Sequence, residues 1–129
     1  MICADSNFII DFLKNKDGAV SIFHRYKEDI ATTEINIFEV FSGIYSLKKD
    51  ITQEDSIADS FFDSIPILNS NHFGKLSAKH FIDLIKRGKE IGQNDCFIAA
   101  IMFENGCNQI ITKDKEHFER IKGIKIISY

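Results

Sequence analysis

The chain has 129 residues, 44% of them hydrophobic and 27% charged, with a formal net charge of −3. That balance supplies a core for a single domain spanning 1–129 and excludes a disordered chain. The mild acidity argues against gripping nucleic acid by bulk charge and leaves that task to local basic patches.

The opening "MICA" reads as a short apolar strand ending at Asp5. "SNFIIDFLKN" follows at helical spacing, with Phe8, Ile9, Phe12 and Leu13 on one face, and Gly18 is expected to break it. "AVSIFHRYKED" resumes a helix, and "IATT" is a second strand. "NIFEVFSGIYSLKK" reads as a helix with Asn36 as N-cap and Glu39 three residues on, as in a capping box. "TQEDSIADSFFDSI" opens on a Thr52 cap, and "PILN", at the lone proline Pro66, is a third strand. "SAKHFIDLIKRGK" is amphipathic and stops near Gly88. "NDCFIAAIMFENG" is an almost wholly apolar helix with Asn94 able to cap it and Gly106 just past its end. "QIIT", "KEHFERI" and "IKIIS" complete the chain as strand, short helix and strand.

Strands alternating with helices predict a parallel sheet of about five strands in a three-layer α/β/α sandwich. No apolar run approaches the ~18 residues of a membrane span, and the start lacks the basic region of a signal peptide. Cys3, Cys96 and Cys107, odd in number and without CxxC spacing, read as reduced core thiols of a cytoplasmic protein. His24, His72, His80 and His117 show no metal-ligand spacing. The run Ile57, Phe61, Phe62, Ile65 reads as core, part of which is expected to join Phe73, Phe81 and Ile85 in a dimer face.

Open parallel sheets carry their sites beyond the carboxyl ends of the strands, and acids fall at those positions. Asp5 directly follows "MICA", Asp114 follows "QIIT" by two residues, and Glu39 and Asp95 stand in the first turns of helices. Taken singly, each is explained as a turn residue, a cap or a partner of the helix dipole. Taken together they form an oxygen-only cluster whose members raise one another's pKa. A hard divalent ion such as Mg2+ resolves that conflict; one ion or a pair suits phosphodiester hydrolysis. Asp11 lies nearly two turns into its helix and is expected to be too far from this rim. Glu34, Glu104 and Glu116 are acids near the motifs; Glu116 is near enough to be an outer ligand. Lys86, Arg87 and Lys89 form the densest basic cluster and, with Lys113 beside Asp114, are candidates for contacts to the phosphates of a substrate.

"ADSNFIIDFL", "TEINIFEVFSG", "GQNDCFIAA" and "IITKDKEHFERI", in this order along the whole chain, resemble the four motifs of PIN-domain ribonucleases, most of all the VapC-type toxins of toxin–antitoxin pairs. Asp5, Glu39, Asp95 and Asp114 fall on that family's acidic quartet. Ser6 and Asn7 match small polar residues after the first acid, Thr112 a threonine before the last, and Gly43 a glycine after the glutamate. Val40, Cys96 and Phe97 depart from the commoner residues without touching the chemistry. The resemblance implies an Mg2+- or Mn2+-dependent endoribonuclease with an antitoxin partner, commonly a homodimer. Asp5 and Asp95 are the first choices as direct metal ligands. Glu39 and Asp114 would hold a second ion or orient the attacking water, with Ser6 and Thr112 supporting them. Rival readings are a housekeeping RNA-processing nuclease, a non-enzymatic RNA-binding protein, and a phosphohydrolase or phospho-acceptor. The last of these would want adjacent acids after the first strand, where Asp5 is followed by Ser6.

Overall fold

The computed structural model describes residues 1–129. Its strands are β1 (Ile2–Ala4), β2 (Ile30–Thr33), β3 (Ile67–Leu68), β4 (Gln109–Ile111) and β5 (Lys125–Ile127). Its helices are α1 (Ser6–Leu13), α2 (Asp17–Tyr26), α3 (Glu34–Tyr45), α4 (Thr52–Asp63), α5 (Phe73–Lys86), α6 (Gln93–Glu104) and α7 (Lys115–Glu119). The sheet is wholly parallel, in the order β3-β2-β1-β4-β5. β1 therefore lies at the centre, and the chain leaves it toward β2 on one side and returns as β4 on the other. The crevice between the ends of β1 and β4 is the topological switch point.

Period-two alternation of strand side chains sorts the core into two layers. Ile2, Ala4, Ile30 and Ile111 face α1–α4 and pack with Phe8, Ile9, Phe61 and Phe62. Cys3, Ala31, Leu68 and Ile110 face the other way, toward Leu84, Met102 and Phe118 of α5, α6 and α7. Every residue of β1 and β2 is buried, which is why these strands read as unbroken apolar or small-residue runs. The same layering corrects the expected dimer face. Phe61, Phe62 and Ile65 belong to one side of the sheet and Phe73 and Phe81 to the other, so they share no surface.

Several helix ends differ from the sequence expectation. The break after α1 comes at Asn15, in the left-handed region at φ 59°, and Gly18 lies inside the first turn of α2. Thr33, not Asn36, caps α3, its side chain accepting from Asn36 N. In place of a Thr52 cap, Thr52 is the first residue of α4, and Asp50 Oδ1 accepts from its N–H at 3.0 Å. α5 begins four residues before Ser77, and α6 follows Gly92, placing Asn94 within the helix. Gly106 does end α6: at φ 68° it lets Gly106 N bond Phe103 O and Cys107 N bond Met102 O, the paired bonds of a Schellman motif. All three cysteines are buried and unpaired, and no helix is long and apolar enough to cross a membrane.

Candidate active site

Asp5 ends the central strand and is the N-cap residue of α1, with extended backbone and no side-chain capping bond. Its carboxylate is thus free to face the crevice, although the residue is only 5% exposed. Oδ2 accepts a 2.7 Å hydrogen bond from Thr112 Oγ1, and Oδ1 receives a longer one, 3.4 Å, from Asn36 Nδ2. Burial pushes this carboxyl up, the Thr112 bond pulls it back, and the charges of Asp95 and Glu39 push it up again, to about 6.

Asn36 is fully buried and organises the next acid. Its Oδ1 accepts from Thr33 Oγ1 at 2.7 Å, its Nδ2 donates to Ser6 Oγ at 3.0 Å, and Ser6 Oγ donates to Glu39 Oε1 at 2.7 Å. The Asn36–Glu39 spacing, expected to be a capping box, instead aims both side chains from successive turns of α3 at the end of β1. Asp95 stands in the first turn of α6. Burial raises its pKa, His117 opposes the rise, and the charges of Glu39 and Asp114 reinforce it. Asp114 is the N-cap residue of α7, fixed through its own N–H, which donates to Thr112 Oγ1 at 2.9 Å. Thr112 therefore holds two of the acids at once.

The fold brings Asp5, Glu39, Asp95 and Asp114 into one electrostatically coupled cluster and places Ser6 and Thr112 as hydrogen-bonding partners within it. Asn7 is exposed and joins no hydrogen bond of the network. Lys86, Arg87 and Lys89 lie exposed at the end of α5, with Arg87 paired to Asp83 at 2.6 Å. Lys113 is not a free cation at the rim: its Nζ lies 2.7 Å from Asp11 Oδ2. Asp11, expected to be remote, is buried and tied to the 112–114 segment through that contact, with further bonds from Lys16 and Tyr129. Glu34, Glu104 and Glu116 are exposed and outside the cluster.

His117 is the residue sequence reasoning missed. It lies one helical turn beyond Asp114, and Nδ1 sits 3.1 Å from Asp95 Oδ2 and 3.0 Å from Asp114 Oδ2. The available signal was the Asp-x-x-His spacing of 114 and 117, which puts both side chains on one face of a helix. Asp95, Asp114 and His117 offer ligand atoms all within 4.8 Å of one another. Burial raises the Asp5 and Asp95 carboxyls, and a crowded set of acids of this kind is what a divalent cation stabilises, so the residues fit such an ion.

Residues 2–124 match the family model described as the PIN domain. The Haemophilus influenzae protein named Ribonuclease VapC2 is 27% identical over 128 residues, covering 94% of this chain and 92% of its own. Among solved structures, VapBC2 from Rickettsia felis bound to a promoter DNA fragment matches with a TM-score of 0.86 at 22% identity, covering 100% of this chain and 99% of its counterpart. A toxin–antitoxin complex from Klebsiella pneumoniae matches with a TM-score of 0.72 at 18% identity, covering 97% and 96%. At these identities the structures testify to a common fold.

Proposed function

Since the chain belongs to the PIN-domain family, we propose that it is a divalent-metal-dependent endoribonuclease and the toxin of a toxin–antitoxin pair. One observation carries the reading. Four acids from distant stretches meet at the switch point, and burial together with their mutual repulsion pushes Asp5 up to about 6. Such an arrangement is costly unless a cation occupies it.

Asp5 and Asp95 are the first metal-holding carboxylates, the one oriented by Thr112 and the other by the rigid start of α6. A bound divalent ion would supply Lewis-acid activation of the phosphodiester and a nucleophile at neutral pH. Glu39, held by Ser6, orients the attacking water, and Asp114 adds its charge beside Asp95. Lys86, Arg87 and Lys89 contact backbone phosphates without reading sequence. The Arg87–Asp83 pair is surface-exposed and weak, so it yields readily to a phosphate.

The antitoxin would cover the acidic rim and bring a basic side chain to the carboxylates. An apolar groove lined by Ile10, Leu13, Val40, Ile44, Leu47 and Ile57 offers it a surface to bury. We assign a homodimer contact to α5 on the ground that Ile82 and Ile85 are 46% and 40% exposed there.

The test is cleavage of a labelled RNA pool by the purified protein with Mg2+ or Mn2+ and with EDTA. Cleavage is expected only with metal and is lost in Asp95→Asn. Undiminished cleavage by metal-free protein overturns the reading.

A further inference from the structure

The donor set of the pocket is not oxygen alone. We propose that His117 is a nitrogen ligand of the metal site, acting through Nδ1 with Asp95 and Asp114, and that it biases the site toward Mn2+ over Mg2+. The inference rests on the metal-dependent reading above and specifies which ion that site selects.

Geometry supports ligation over a simple hydrogen bond. One ring nitrogen carries at most one proton, so it can donate to one acceptor along a good line. Yet Nδ1 is nearly equidistant from two carboxylate oxygens, at 3.1 Å and 3.0 Å. Only the Asp95 contact has hydrogen-bond geometry. The approach to Asp114 is left as proximity that a hydrogen bond does not explain. Neighbouring ligands of an octahedral ion at ~2.1 Å stand about 3.0 Å apart, √2 times the bond length. Both edges from Nδ1 have that length.

The ring is also well placed. Phe118, next in sequence, is fully buried and anchors α7, which fixes the direction His117 takes. Asp114 immediately precedes α7, so it and His117 turn toward the same side. Asp95 reaches them from α6, a helix held by the core on nearly every side. The His117 side chain is itself 41% exposed, so an ion can exchange there.

Ligand chemistry then sets selectivity. Mg2+ takes oxygen ligands and dehydrates reluctantly; Mn2+ also favours oxygen but, as a first-row transition ion, accepts an imidazole nitrogen in a mixed site more readily than Mg2+ does. Replacing one oxygen position by Nδ1 therefore penalises Mg2+ more than Mn2+.

The experiment reads ligation directly, with Mn2+ alone as probe. Electron spin-echo envelope modulation of Mn2+ bound to the full-length wild type is expected to show 14N coupling from a coordinated imidazole, lost in His117→Gln. By calorimetry, His117→Gln should weaken Mn2+ at least about tenfold, comparing with the loss typical when a metal's supporting partners are removed. Mg2+ should change by less than about threefold, since it gains little from nitrogen. Mn2+ that binds wild type without 14N modulation overturns the proposal and leaves the nuclease reading standing. An equal loss for both ions in His117→Gln also overturns it, because that is the mark of a purely electrostatic role. Failure of wild type to bind Mn2+ at all overturns the metal-dependent reading and this inference with it. The wild-type spectrum decides even if the variant does not fold.

Discussion

Asp5 makes the cost of the site measurable. Its carboxyl holds a proton up to about pH 6 in the folded chain, against an ordinary value of 3.8. Between those values the native state binds more protons than the unfolded state, so stability falls as pH rises through the window. Metal-free protein should therefore melt at a higher temperature near pH 4.5 than at pH 7, with Asp5 contributing on the order of 2–3 kcal/mol. Asp5→Asn should flatten that part of the profile, and an unchanged profile would remove the buried-charge account. Asp95→Asn extends the argument to its neighbour. The amide keeps the shape and relieves repulsion, so without metal the variant should equal or exceed wild type, by on the order of 1 kcal/mol. Saturating Mg2+ should reverse the order, because only the intact site gains the full binding free energy. Thermal melts with EDTA and across a Mg2+ titration check both directions. A destabilised Asp95→Asn that cleaves RNA at the wild-type rate refutes the catalytic role.

Between β4 and α7 the chain is held at successive residues: Thr112 by Asp5, Lys113 by Asp11, and Asp114 by its contact with His117. Asp11 on α1 is the anchor shared with Lys16 and the Tyr129 hydroxyl. Its burial acts to raise the carboxyl, but the bonds from Lys113, Tyr129 and Lys16 outweigh it and hold Asp11 well below the usual carboxylate range. The folded state therefore binds this proton less readily than the unfolded one. The stabilisation is fully present above the ordinary value of 3.8 and is lost as pH falls through the lower folded one. Asp11→Asn should cost ~1–3 kcal/mol at pH 7, the range for a buried, charge-assisted hydrogen-bond network losing one member. The deficit should shrink below pH 3. Denaturant titrations at both pH values test this, and a pH-independent deficit would mean that packing, not charge, is what Asp11 supplies.

At the scale of the molecule, the toxin reading and the α5 contact make separate predictions. Expression without antitoxin should arrest growth, co-expression should relieve the arrest, and Asp95→Asn should be harmless. Unimpaired growth with active protein and no antitoxin would refute the toxin role while leaving the nuclease chemistry intact. Ile85→Glu should convert a dimer to monomer in light scattering, since α5 leaves Ile82 and Ile85 exposed. A dimer unaffected by this charge would place the contact elsewhere.

The sequence by itself determined the strand–helix alternation, the buried parallel sheet and the positions from which acids could meet. These signals are local: "MICA" and "IATT" are apolar or small throughout because both faces are covered, and Asp5 follows the first of them directly. The Gly106 helix stop was legible for the same reason, since its capping bonds join near neighbours. Tertiary structure alone decided that Asn36 is a buried organiser and not a cap, that Lys113 belongs to Asp11, and that His117 stands between two carboxylates. Most of those partners lie far apart in sequence: Asn36 and Asp5 are separated by 31 positions, Lys113 and Asp11 by 102, and His117 and Asp95 by 22, with Asp114 alone a near neighbour of His117. A hydrogen bond depends on where two side chains arrive in space. Periodicity reports which face of an element is apolar, and it carries no information about which distant residue will meet the polar one.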